Sequence, residues 1–337
     1  MPLTTDELRN LGIYPWRAIS AEFRGAGLLL GNGFSSKLNA LFQYNSLFDR
    51  FLINCAPQDA DRFRQFGTSN FELILESLLG TIKVDGIFAI PSEAVRLAVD
   101  MLKQGLITTV GQHHPRAIDL NPDLLLRMSE AFDDFGDIFA LSYDALIYHI
   151  IMNSLDRHRD NNAIRPYNDY FWAHYNDEFL EFMDYQNYPR YKHVYYLHGA
   201  VFIFRIGANT VKIKRRGNTE LLGIIEGKIR DGHFPLFVAE GTSEDKQLAI
   251  SRSEYLQFAY NHLRHQTNPL VIYGASLSRQ DSHIVEAIRN PDRHLALAIH
   301  VGDKLADVLR REMRTQRDKF PNQGIRFFDS ETLFNLN

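Results

Sequence analysis

An α/β fold, with a mostly parallel sheet of about six or seven strands flanked by helices, is what this sequence predicts. Short β-rich apolar runs recur along the chain with helical patterns between them, as a parallel sheet covered on both faces requires. Several of those runs end in a glycine or a small polar residue, which is the Rossmann-like habit of placing ligand groups at strand carboxyl ends. With 337 residues, 45% apolar and 23% charged, the chain can bury a large core, as one sizeable domain with an insertion or as two.

Taken in order, residues 1–19 read as an N-terminal extension, and the main domain as 20–55 together with 135–337. The first strand is 27–31, and a helix is expected to start near Ser36. The stretch 56–134 has helical periodicity at 70–79, 92–106 and 122–132 but no convincing strand, so it reads as a helical insertion between the first two strands of the sheet. The second strand, 138–142, runs into a helix at 144–153. The polar and aromatic stretch 156–192 lacks a clear period and reads as loop with short helices. The third strand is 194–198, and after it 201–206 and 210–214 suggest a small inserted hairpin. The strands at 236–240, 270–274, 295–301 and 325–328, with helices at 253–265, 282–289 and 304–317, form the most regular βαβ series.

Composition excludes some partners. A net charge of -4, from 37 basic and 41 acidic side chains, gives no general attraction to nucleic acid or acidic membranes. The basic cluster Lys212, Lys214, Arg215 and Arg216 is read as a solvated hairpin tip in preference to a nucleic-acid contact. Cys55, the only cysteine, permits neither an internal disulfide nor a four-thiolate zinc site, which fits a reducing cytoplasm. Neither a secretory leader nor a run of the ~20 apolar residues that a membrane helix needs is seen. A cytoplasmic protein without a metal is the expectation.

The strand ends carry the chemistry. Gly31, Asn32, Gly33, Phe34 and Ser35 follow LLL directly, and glycines before a helix let a backbone approach a pyrophosphate closely. A plain strand-to-helix turn with Ser35 or Ser36 as N-cap accounts for the same residues. In FALSYD, Ser142 and Asp144 project toward the ligand edge, although serine or aspartate ahead of a helix is also an ordinary cap. His198 in VYYLHGAVF ends an apolar strand with an imidazole able to take a proton near neutral pH. For most of the thirteen histidines, His262 and His265 included, a role satisfied within the fold is expected instead. After VIY, Gly274 permits close approach and Ser276 can donate to a phosphate or ribose hydroxyl, while Asp281 is read first as a helix cap.

The ordered set GNGFS, LSYD, LHG and GASLS resembles the sirtuin-type fold, and within it the bacterial sirtuin-like NAD hydrolases associated with anti-phage defence. FGTSNFE at 66–72 and EGTSEDK at 240–246 resemble one uncharacterised branch of that group. The resemblance implies that Gly31, Gly33 and Ser35 form the phosphate turn, that Gly274 and Ser276 hold the adenosine side of NAD, and that Ser142, Asp144 and His198 surround the nicotinamide ribose. It implies cleavage of the nicotinamide N-glycosidic bond of NAD as substrate, with His198 acting on a ribose hydroxyl or on the attacking water. A homo-oligomer and a defence-system partner protein are implied as well.

Two departures bear on this. Ser142 stands where the family motif T-x-N-Y-D has asparagine, and a shorter side chain that lost a preorganised contact could cost ~10²–10³ in rate while sparing binding. The cysteine quartet of the zinc-ribbon deacylases is missing, so hydrolysis is expected ahead of protein deacylation. The alternative expectation is a sensor or scaffold that binds NAD or ADP-ribose without consuming it.

Overall fold

The computed structural model describes residues 3–38, 47–69, 71–114, 116, 119–157, 167–184, 191–214, 220–238 and 242–334. The chain opens with helix α1 (Thr5–Leu11), closed at its start by a Thr4–Glu7 capping box, and the short strand β1 (Ile13–Tyr14). Strand β2 (Gly27–Leu30) leads into α2 (Asn32–Leu38), which begins earlier than the sequence suggested. Five helices follow: α3 (Leu47–Asn54), α4 (Pro57–Arg64), α5 (Phe71–Phe88), α6 (Glu93–His113) and α7 (Pro122–Phe132). The last four of these lie in the region read as a helical insertion, whereas α3 falls in the segment 20–55 read as main domain.

Then come β3 (Ile138–Ala140), α8 (Leu146–Arg157), β4 (Tyr167–Asn168), β5 (Phe171–His174), β6 (Phe179–Phe182), β7 (Lys192–Tyr196), β8 (Gly199–Ile206) and β9 (Asn209–Ile213). The rest of the chain is α9 (Leu221–Arg230), β10 (Pro235–Phe237), α10 (Ser243–Ser251), α11 (Glu254–His265), β11 (Leu270–Tyr273), α12 (Ser282–Ile288), β12 (Leu295–Ile299), α13 (Ala306–Lys319) and β13 (Ile325–Asp329).

The strands make two sheets. The larger has eight, in the order β1-β13-β12-β11-β2-β3-β7-β4, and every pairing in it is parallel. It is the Rossmann-like sheet that the sequence predicts, extended beyond six or seven strands by the two-residue edge strands β1 and β4. Its inner strands GLLL and LVIY are buried at every position, as expected where helices cover both faces. From β2 the chain builds outward through β3 and β7, and from β11 it builds the other way through β12 and β13. The topological switch point, where such sheets bind ligands, therefore lies between β2 and β11.

The smaller sheet is antiparallel, in the order β10-β8-β9-β6-β5. It corrects two expectations. Residues 156–192 supply β4, β5 and β6 instead of a loop with short helices; strands of two to four residues are too short to display a period. Of the run at 236–240, Leu236 and Phe237 belong to this sheet in β10, antiparallel to β8, and not to the parallel βαβ series, while residues 239 and 240 lie outside the described residues. The predicted hairpin is real as β8 and β9, with Gly207 at φ 63° in its turn, but it is the centre of five strands.

The basic cluster also needs correcting. Lys212 is buried in β9, ion-paired with Asp169 and 5.6 Å from the centre of the Phe171 ring, so it is no solvated tip. Arg215 and Arg216 lie outside the described residues. Among the described residues no helix is long and apolar enough to cross a membrane.

Candidate functional site

Register brings the site together. Tyr273 pairs with Leu30, Leu30 with Ala140, and Ala140 with Tyr196, so these four residues form one row across the sheet. Two residues past that row, beyond the strand ends, the chain reaches Ala275, Asn32, Ser142 and His198, which line one cleft. A cleft of about 390 Å³ opens there, lined by Gly31, Asn32, Gly33, Ser142, His198, Gly274 and Ser276 among others. This is within the usual range for a small-molecule site.

The glycines serve close packing of one turn on the other. The Gly31 amide donates to the Tyr273 carbonyl at 2.9 Å and the Gly33 amide to the Gly274 carbonyl at 2.8 Å. A Cβ on Gly31 would lie 2.5 Å from the Gly274 oxygen, and one on Gly33 2.7 Å from it. Gly274 itself has φ +68°, and its Cβ would lie 2.3 Å from the Phe34 nitrogen. Gly33 thus has no free amide for a phosphate, and the close approach that its lack of a side chain allows is taken up by the Gly274 turn.

Phe34 and Ser35 do not line the cleft either. The Phe34 ring is buried against Phe132, Tyr273 and Phe334, and its amide donates to the Gly31 carbonyl at 2.9 Å. Ser35 is fully buried, and its hydroxyl has no hydrogen-bond partner among the described residues. An amphipathic reading of α2 would have placed Phe34 in the core.

Asp144 is a cap before it is anything else. One carboxylate oxygen accepts the Leu146 amide at 2.8 Å at the start of α8, and the other accepts the Ser142 hydroxyl. The pair is buried, with Ser142 at the cleft wall and Asp144 behind it.

His198 faces a second imidazole. Its Nε2 lies 3.0 Å from Nε2 of His283, whose Nδ1 lies 3.1 Å from the Ser243 hydroxyl. That hydroxyl also accepts the His283 amide at 3.0 Å. Burial, the Lys246 ammonium and His283 push the His198 pKa well below that of an ordinary histidine, against the pull of the Leu141 backbone. Burial, then Lys246, push His283 down to about 4, with Asp281 opposing. Both rings are neutral near pH 7, so His198 brings no positive charge to the cleft.

Lys246 and Asp281 complete the wall, joined by a 2.8 Å ion pair with the lysine side chain almost fully buried. Sequence reasoning did not assign Lys246, Ser243 or His283 to the site. The signal was present in the polar segments EGTSEDK and SRQDSH, but only tertiary packing of α10 against α12 aligns them. Thr242 caps α10 through the Asp245 amide, fixing Ser243 and Lys246 on its first turn.

A second cavity, of about 680 Å³, lies on the other side of the same turns and shares Gly33, Gly274, Ala275 and Ser276 with the first. The two open on either side of the switch point. Ser276 is on their shared rim, and the next residue, Leu277, is held in the left-handed region at φ 49°. For a non-glycine residue that costs on the order of 1 kcal/mol and persists only where the surroundings enforce it.

No group of three or more His, Cys, Asp or Glu able to hold a metal ion occurs among the described residues. No curated protein matches the chain. Residues 28–334 match the family described as Domain of unknown function (DUF4917), and the chain belongs to that family.

Proposed function

We propose that this chain is a sirtuin-like NAD hydrolase. A nicotinamide dinucleotide would lie across the switch point, with the nicotinamide ribose in the His198 cleft and the adenosine over Gly274 and Ser276. Water then replaces nicotinamide on the ribose, giving nicotinamide, ADP-ribose and a proton. The observation that carries this reading is that Asn32, Ser142, His198 and Ala275, from the ends of four neighbouring parallel strands, line one cleft. A neutral, buried imidazole suits a base acting on a ribose hydroxyl or on water, a contribution worth ~10²–10⁴ in rate. Charge that develops on the ribose ring would be stabilised in a cleft with little access to water. Depletion of NAD in anti-phage defence, by a cytoplasmic homo-oligomer with a partner protein, is the biological setting that accompanies this reading.

A binding role without turnover has one observation in its favour. The Ser142 hydroxyl is spent on Asp144, Asp144 on the α8 amide, and His198 Nε2 on His283. Incubating the purified protein with NAD and following nicotinamide release by chromatography separates the two. Release that disappears in His198→Ala, with nucleotide binding retained, supports hydrolysis. Recovery of bound, intact NAD from the wild type supports the sensor.

A further inference from the structure

The second cavity has a charge pattern of its own. Its wall carries four basic side chains, Lys37, Lys304, Arg311 and Lys319, and one acidic one, Glu312. Lys304 is neutralised by Glu312, at 2.8 and 2.9 Å. Lys37 is paired with Glu331, which also accepts from His300 at 3.1 Å, and Asp329 stands close behind. Two cations are left over. Lys319 donates only to neutral oxygens, the Ser276 carbonyl at 3.0 Å and the Gln316 side chain at 3.2 Å, and Arg311 forms no ion pair among the described residues. Asp281, across the rim, is already held by Lys246.

Position sharpens the point. Residues 311, 315 and 319 recur every four residues on α13, so Arg311, Thr315 and Lys319 share the helix face that lines the cavity. In a dinucleotide-binding βαβ unit, the strand after the phosphate turn carries an acid for a free ribose 2′-hydroxyl, whereas a basic residue nearby accommodates a 2′-phosphate. Here the turn placed under the adenosine is Gly274–Ala275–Ser276, the next strand is β12, and the residue that follows it on the cavity wall is His300. Arg311, and Lys319 whose attraction to Asp281 is shared with Lys246, suit the −1.5 to −2 charge typical of a phosphomonoester near neutral pH.

We infer that the cavity between β11, β12 and α13 takes a phosphomonoester on the adenosine ribose, so that the nucleotide favoured by this chain is 2′-phosphorylated, NADP in preference to NAD. This deepens the dinucleotide reading above and rests on it for the placement of the adenosine. Arg311 and Lys319 contact the 2′-phosphate; the Thr315 hydroxyl between them donates to the Arg311 carbonyl at 3.0 Å.

The test uses nucleotide halves that contain no scissile bond. Calorimetry on the full chain compares adenosine 2′,5′-bisphosphate with 5′-AMP, and NADP with NAD. The 2′-phosphate should tighten binding by about tenfold or more at low salt, as charge-assisted hydrogen bonds do. Arg311→Ala combined with Lys319→Ala should abolish that gain while leaving 5′-AMP unchanged; Arg311→Ala alone, at an exposed position, should remove most of it. Equal affinity for the two mononucleotides, or a variant that weakens both alike, overturns the inference even if NAD is hydrolysed. A charge-dependent preference for the bisphosphate upholds it even if neither dinucleotide is cleaved, in which case it is the hydrolase reading that falls.

Discussion

The Gly33 amide donates to the Gly274 carbonyl across 2.8 Å, so the turn that leaves β2 is bonded to the turn that leaves β11. The two sides of the switch point are thereby one object, and the floor shared by both cavities is backbone. Gly274→Ala should be more damaging than a glycine replacement elsewhere with the same φ. At Gly25 (φ +71°) an added Cβ meets nothing within 4 Å, so Gly25→Ala should lose only the left-handed strain, about 1–2 kcal/mol. At Gly274 the added Cβ would also collide with the Phe34 nitrogen at 2.3 Å. The urea midpoint of Gly274→Ala should fall clearly below that of Gly25→Ala; equal midpoints would refute the turn-on-turn account.

His283 is a positioning residue for His198. Removing it in His283→Ala takes away the hydrogen-bond partner of Nε2 and one of the influences that lower the His198 pKa. Nicotinamide release should drop by about 10²-fold with a smaller change in KM, and the acid limb of the pH–rate profile should move to higher pH. A drop in rate with an unmoved limb would mean that the second imidazole only fills space.

Stability should weaken in mild acid. His283 has a folded pKa pushed down to about 4, against ~6.5 when unfolded. Between those values the unfolded chain binds more protons, so stability falls as pH is lowered from about 6.5 toward 4 and is insensitive to this group above that range. His198, lowered by burial first, acts in the same direction. Each such histidine contributes up to about 1.4 kcal/mol per pH unit within its window. Denaturation at pH 5 and pH 7.5 measures the slope, and His283→Gln should flatten it; an unchanged slope would count against a neutral buried pair.

Arg293 makes a prediction about the scaffold. It is almost fully buried, with burial lowering its pKa to about 10, and its guanidinium donates to the carbonyls of Leu263 at 2.7 Å, of Gln266, and of Ala287 at 3.4 Å. These are carbonyls near the ends of α11 and α12 that lack partners within their own helices. Arg293→Met should cost about 3 kcal/mol by stranding them, and Arg293→Lys, with a single ammonium, should recover only part. Thermal unfolding of the two variants checks the order.

Six strands of the central sheet were legible because each is a short apolar run bounded by turn residues, as LLL before Gly31 and VIY before Gly274 illustrate. The cleft was legible for the same reason: residues at strand carboxyl ends are fixed by register once the strands are known. What escaped depends on contacts distant in sequence. Phe171 and Phe179 carry no period because β5 and β6 are completed as strands only by pairing with each other and with β9. His283 reaches His198 across 85 residues, and nothing local to either announces it. Asp144 was ambiguous between cap and site, and its two oxygens do one job each, for α8 and for Ser142.

Gly199, at φ +72°, is the pivot where the chain passes from the parallel sheet to the antiparallel one, leaving only Leu197 and His198 between β7 and β8. Leu197 is bonded to Ala140 in one sheet, and the carbonyl of His198 receives the Val238 amide from beside β10 in the other. With so little slack, tilting the smaller sheet would act as a lever on the imidazole and rotate it relative to the β2 and β11 turns. Whatever grips the outer strands of that sheet thus has a short mechanical route to the His198 end of the cleft.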